Sequence, residues 1–284
     1  MQQFIEQQKP LRVMGPGKVY FHYGPSSILV MADSGGEPLT ELCCQAFEVI
    51  DASLKEIAAS LDLLRLAPAL IPEGRLTGLP LKMLEAVSAT KEPTLTPMAA
   101  VAGTVADSVA DWLFSQGATR AMVNNGGDIA LRLAPGTSVK MGIASSLSAG
   151  TIDRAITIHA EDGIGGCATS GLGGRSLTRG VAQGVSAFSS RCALADALAT
   201  QLANSSFVPS EQVQTKKAGE IAPDSDIKDL DVVVGVGKLN RKEVKQALKQ
   251  IEQEAVRQKR RGNLIAMCAR VQNRMLDFEM PRTS

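Results

Sequence analysis

Two adjacent glycines between two short apolar runs constrain this chain more than any other feature. Asn124-Asn125-Gly126-Gly127-Asp128 follows Ala121-Met122-Val123 and precedes Ile129-Ala130-Leu131. Short apolar runs bounded by turn residues read as buried strands, so the bend is a hairpin turn or a strand-to-strand loop. Glycines accept left-handed backbone angles and let the main chain approach a partner, while two Asn amides and a carboxylate add directional polar groups. From these five residues alone a plain hairpin turn is the simpler reading and a binding loop the second.

The chain has 284 residues, enough for one large unit over 1–284 or two intertwined subdomains with a sizeable core. Its formal net charge is +1, and the basic residues are scattered apart from Lys259-Arg260-Arg261, which argues against a nucleic-acid partner. Five cysteines form an odd set without C-x-x-C spacing, so neither a disulfide framework nor a zinc site is expected and the cytosol is the expected compartment. Residues 1–10 lack the apolar stretch of a signal peptide, and no run of roughly 20 apolar residues marks a membrane span.

Residues 11–35 read as a hairpin around Gly24-Pro25-Ser26. From Thr40 the period changes: Phe47, Ile50, Leu54, Ile57, Leu61 and Leu64 recur at three- and four-residue steps, predicting one long amphipathic helix ending before Pro68. Thr96-Pro97-Met98 is a helix entrance with a Thr cap and Pro in the first turn, and the helix runs to about Gln116. Asp107 and Asp111 share one of its faces, as an acid/base pair or, more simply, a solvated face. Strands are expected over 139–144, 155–159, 183–188, 231–236 and 264–271, with helices over 191–204 and from the Asn240/Glu243 cap pair to near Gly262. Residues 205–230 lack periodicity and read as a surface insertion. The expected class is α+β, with mixed or antiparallel sheets flanked by helices.

A second unusual segment, Asp162 to Gly174, holds six glycines around Thr169 and Ser170. It suits a phosphate cradle or a flexible loop; a Rossmann fingerprint is rejected because no helix pattern opens there. Asp196 and Thr200, four apart on one helix, present two hard oxygen donors of the kind magnesium accepts. The plainer alternatives are a helix-dipole partner and a threonine bonded back into its own helix.

Pro97-Met98-Ala99-Ala100-Val101-Ala102-Gly103 through Asp107, Val123 to Asp128, Ala168-Thr169-Ser170-Gly171 and Ala195-Asp196-Ala197-Leu198-Ala199-Thr200 together resemble the ordered motif series of the ApbE superfamily, known for magnesium-dependent flavin transferases and FAD pyrophosphatases. The likeness covers roughly residues 95–204. An ending like Val234-Gly235-Val236-Gly237-Lys238-Leu239 extends it to about 272 and makes an uncharacterised ApbE-like branch the nearest match. The resemblance implies a flavin nucleotide pocket, for FAD or FMN, from Asn124, Asn125, Gly126, Gly127 and Asp128 with Thr169, Ser170 and Gly171. It implies a magnesium site from Asp196, Thr200 and the carbonyl of Val101.

Two departures bear on chemistry. The lysine of the transferase Ala-Lys-Gly motif is Ala102 here, and Ser176 to Gln183 contains no histidine, so the usual general base has no evident substitute. No catalytic residue is therefore assigned. The leading expectation is an ApbE-like enzyme acting on the FAD pyrophosphate by FMN transfer or hydrolysis. The alternatives are the same fold re-used for a non-flavin small-molecule catabolic reaction, and a non-catalytic flavin-binding partner. A homodimer is the expected assembly. A serine hydrolase of Ser170 and His159 is weakest, since no G-x-S-x-G elbow surrounds that serine.

Overall fold

The computed structural model describes residues 10–143, 154–174 and 176–280. Its first layer follows from alternation. β1 (Leu11–Gly15), β2 (Lys18–Tyr23) and β3 (Ser26–Ser34) form an antiparallel meander in which β3 buries Ile28, Val30 and Ala32 and turns the residues between them outward. β4 (Glu37–Pro38) pairs briefly with β3. The helical period then takes over in α1 (Thr40–Ala58), which buries Cys43, Ala46, Ile50 and Ile57. The single helix expected up to Pro68 does not form. The carbonyl of Ser60 accepts the amides of Leu63 and Leu64, starting α2 (Leu61–Leu64) and redirecting the chain so that Leu64 becomes fully buried.

α3 (Gly78–Thr90) precedes a 3₁₀ turn, Pro97–Ala100, that leads into α4 (Val101–Ser115). The Thr96 hydroxyl accepts the amide of Met98 at 3.3 Å, the cap expected there, with proline where no amide is needed. β5 (Arg120–Asn125) and β6 (Asp128–Leu133) make the expected hairpin, Asn125 opposite Asp128. Gly126 and Gly127 form its two-residue loop at φ 69° and 117°, which primed turns demand. β7 (Ser138–Ile143) and β8 (Arg154–His159) form a separate two-stranded sheet. Next come β9 (Gly166–Ser170), β10 (Gly184–Ser189) and α5 (Cys192–Asn204). Residues 205–230 contain β11 (Val213–Lys217), which pairs with β12 (Asp231–Val236), and α6 (Ala218–Ile221). The Thr96 hydroxyl also donates to Asp226 of this region. α7 (Arg241–Arg260) carries the expected Asn240/Glu243 capping box, and β13 (Ala266–Val271) and β14 (Arg274–Phe278) end the described chain.

Among the described residues, ten strands form one sheet in the order β1-β2-β3-β5-β6-β9-β10-β13-β14, with β4 on β3, and every pairing is antiparallel. The fold is α+β. Helices α1, α3, α4, α5 and α7 cover one face. The β7–β8 hairpin covers the other over β6, β9, β10 and β13, burying Ile156 and Ile158 against Cys167 and Phe188. β10, covered on both sides, is buried at all six positions. The cysteines are free, as expected, and four of the five are buried.

The glycine-rich segment is only partly a loop. Gly166 opens β9 because a Cβ there would lie 2.3 Å from Cys192 Cα, so glycine serves close passage beneath α5 rather than flexibility. Gly103 is equivalent on α4: a Cβ would sit 2.4 Å from the Cys192 carbonyl oxygen. Gly103→Ala is expected to lower stability by about 1–3 kcal/mol in urea titrations, the cost of overpacking a close helix crossing. An unchanged midpoint would show that the crossing yields freely.

Candidate functional site

The start of α4, the β5–β6 hairpin and the end of β9 meet at one cavity of about 310 Å³, and Asp196 of α5 is not among the residues that line it. Val101 and Ala102 at the start of α4 form one wall. Asn125, Gly126 and Asp128 of the hairpin, and Thr169, Ser170 and Gly171 at the end of β9, form the others. Two of the segments are tied directly: the Asn125 side-chain amide donates to the Ala102 carbonyl at 3.2 Å. Within the bend, the Asn124 side chain accepts the Gly127 amide at 2.8 Å, so Asn124 shapes the loop and does not line the cavity. The bend is thus both a hairpin turn and a cavity wall.

Two carboxylates dominate the electrostatics. Asp196 Oδ2 accepts the amide of Gly103 at 2.9 Å, and the amide of Ala102 points at the same carboxylate. It is therefore a dipole partner of α4, not of its own helix. Burial, reinforced by the charge of Asp128, pushes its carboxyl well above the ordinary value against those two amides. Burial likewise pushes the Asp128 carboxyl up to about 7, opposed by the backbone amide of Thr169. Neither carboxylate forms an ion pair with lysine or arginine among the described residues. Thr200, one turn beyond Asp196, is half-buried and lies outside the cavity lining, without a hydrogen bond back into its helix among the described residues.

The hydroxyls divide by strand alternation. Thr169 Oγ1 is engaged by Ser186 Oγ at 2.7 Å on the neighbouring strand, whereas Ser170 lines the cavity with no protein partner among the described residues. Asp107 and Asp111 contribute neither an acid/base pair nor a solvated face. Asp107 is only 4% exposed, and Arg132 bonds Asp107 at 2.7 Å and Asp111 at 2.6 Å while also reaching the carbonyls of Leu131 and Gly165. Burial alone would raise the Asp111 carboxyl, but Arg132 and Arg191 hold it below its ordinary value. This network clamps α4 to β6, and none of its residues lines the cavity.

A family model described as "AbpE bacteria" matches residues 11–277. The chain belongs to this family. The ApbE-like likeness carried by the four motifs therefore holds. The "UPF0280 protein" of Methanothermobacter thermautotrophicus is 33% identical over 172 residues, 60% of this chain and 64% of that protein. The chain thus spans less than two thirds of that relative. That of Methanosarcina acetivorans is 31% identical over 212 residues, 73% and 80% of the two chains. Among solved structures, the flavinyl transferase ApbE of Pseudomonas stutzeri is 15% identical, with 98% of each chain covered and a TM-score of 0.44. Flavin transferase ApbE of Vibrio cholerae is 13% identical, with 93% and 97% covered and a TM-score of 0.41.

Pro25, Ser26, Leu54 and Ser176 also line the cavity of this ApbE-like chain. The turn at Gly24-Pro25-Ser26 was visible in sequence only as punctuation, and nothing local pointed it at residues a hundred positions away. His159 is exposed, its amide bonded to Asp162 at 2.8 Å, and it does not line the cavity beside Ser170, which removes the serine-hydrolase arrangement.

The raised carboxyls predict a pH dependence. A carboxyl whose folded value exceeds its unfolded value of about 4 contributes stability that is present below pH 4 and lost as pH rises through the folded value. In EDTA, unfolding free energy is expected to fall by on the order of 1–2 kcal/mol between pH 5 and 8, the opening onto the cavity moderating the effect. Asp128→Asn reduces the slope. A slope identical to wild type would show that the Asp128 carboxyl is not strained by its surroundings.

Proposed function

We propose that this ApbE-like chain binds a flavin nucleotide in the cavity between α4, β9 and the β5–β6 hairpin, with a divalent cation, and acts on the FAD pyrophosphate by FMN transfer or hydrolysis. The observation that carries this reading is the pair of half-buried carboxylates, Asp128 on the cavity wall and Asp196 against the start of α4, which repel one another with no lysine or arginine paired to either among the described residues. Such a pair fits a hard cation, and the carbonyl of Val101 and the hydroxyl of Thr200 add oxygen donors of the same kind. When bound, the cation supplies positive charge against a pyrophosphate.

The chain's own residues do the rest. Gly126 and Gly171, without side chains on the cavity wall, let backbone amides approach an anion. Ser170 offers a hydroxyl with no protein partner among the described residues, and the Asn125 amide holds the loop against α4. A volume near 310 Å³ is at the low end for small-molecule sites, so it suits one portion of a dinucleotide. The test is FAD titration with and without magnesium, followed by chromatography for FMN and AMP. Saturable, magnesium-enhanced binding with product formation supports the reading; no binding at roughly 1 mM FAD overturns it.

A second reading is favoured by the histidines. His22 shares a hydrogen bond with Ser27 on the first hairpin and His159 is exposed, and neither lines the cavity. A binder that retains flavin intact, or a site for a non-flavin small molecule, accords with that. FAD bound and recovered unchanged in magnesium identifies the former.

A further inference from the structure

Sharing no lining residue with that cavity, α7 and the last hairpin enclose a groove of about 1130 Å³. Arg241, Lys245 and Lys249 recur at four-residue steps along the exposed face of α7, and Lys238 and Arg274 extend the row across the groove. All five side chains are exposed, none forms an ion pair among the described residues, and Glu252 is the sole acidic residue of the lining. The row is invisible in composition because the net charge is only +1 and these residues are separated in sequence. Tertiary packing collects them.

The floor of the groove is apolar. Val244 and Leu248 come from α7, Leu276 from β14, and Met275 is 42% exposed at the rim. β14 is also the last strand of the ten-stranded sheet, with one edge on β13 and no strand on the other among the described residues. Met275 and Leu276 both border the groove, so it lies against the first residues of this edge strand. An unpaired edge, an apolar floor and a cationic rim together select an occupant that has backbone hydrogen-bonding groups, apolar side chains and negative charge.

We propose that this groove docks an extended acidic segment of a protein partner, which adds as a strand to the free edge of β14 while its carboxylates face Arg241, Lys245 and Lys249. Single-stranded nucleic acid is the lesser fit, because the lining contains no aromatic side chain on which bases stack.

The probe is a fluorescein-labelled ten-residue peptide of alternating glutamate and valine, titrated with the full chain and followed by anisotropy at low salt. The same peptide with lysine for glutamate, and a labelled dT20 oligonucleotide, are run in parallel. The glutamate peptide is expected to bind, to weaken at higher salt, and to lose about tenfold or more in affinity in the K245E/K249E variant. Both substitutions are at exposed positions, and circular dichroism checks the fold. Hydrogen exchange at 274–278 slows when the peptide is bound. Absence of binding, equal binding by the double variant, unchanged exchange at β14, or tighter binding of dT20 than of the peptide each overturns the proposal.

Discussion

Asp196→Asn is expected to bring the FAD affinity measured in magnesium down to that measured in EDTA, a loss of roughly 2–5 kcal/mol or about thirty-fold and more. The amide keeps the size of the carboxylate and still accepts from Gly103, so the α4 entrance stays in place while the charge disappears. Asp128 then loses the neighbour that repels it. Isothermal titration with magnesium and FAD, separately and together, reads the effect. Unchanged magnesium affinity would remove Asp196 from the metal assignment and leave its bond to α4 as its role. If FAD binds without any magnesium effect in the wild type as well, the cavity holds flavin without a cation.

Arg132→Met is expected to cost about 3–5 kcal/mol of stability in urea unfolding. The guanidinium is nearly enclosed, and its loss leaves Asp107 buried with Arg191 3.7 Å away as the remaining cation. The change also removes the hydrogen bond that the guanidinium gives to the Leu131 carbonyl, while the Gly165 carbonyl keeps the amide of Leu131 at 2.9 Å. A double variant with Asp107→Leu should recover part of the loss, since the uncompensated charge goes with it. A single variant as stable as wild type would mean that the network is solvated. Because Arg132 does not line the cavity and bonds neither Asp128 nor Asp196, FAD binding in the folded fraction is expected to change less than stability.

Local pattern made most elements legible. The Gly126-Gly127 hairpin needs positive φ at both loop positions, Thr96 and Pro97 announce a helix start, and Asn240 with Glu243 closes a capping box; each rests on neighbours within four residues. Where the outcome depended on partners distant in the chain, the local reading differed. The long helix stopped at Ala58 because Ser60 starts a new turn that buries Leu64. Gly166 became a strand residue because Cys192 lies against it, and Asp107 became the centre of an ion network because Arg132 approaches from β6.

The candidate site divides in the same way. From the chain alone came the residue types: glycines that permit bends, carboxylates and hydroxyls that accept a cation or an anion's partner, and the motif order that identified the family. Only the folded sheet decided that the Ser170 hydroxyl has no protein partner among the described residues while those of Thr169 and Ser186 bond one another, and that Asp196 caps the entrance of α4 within electrostatic reach of Asp128. The physical reason is range. Turns, caps and periodicity are set by neighbours a few residues apart, whereas charge coupling and close packing depend on distances that exist only after α4, α5 and β9 have come together.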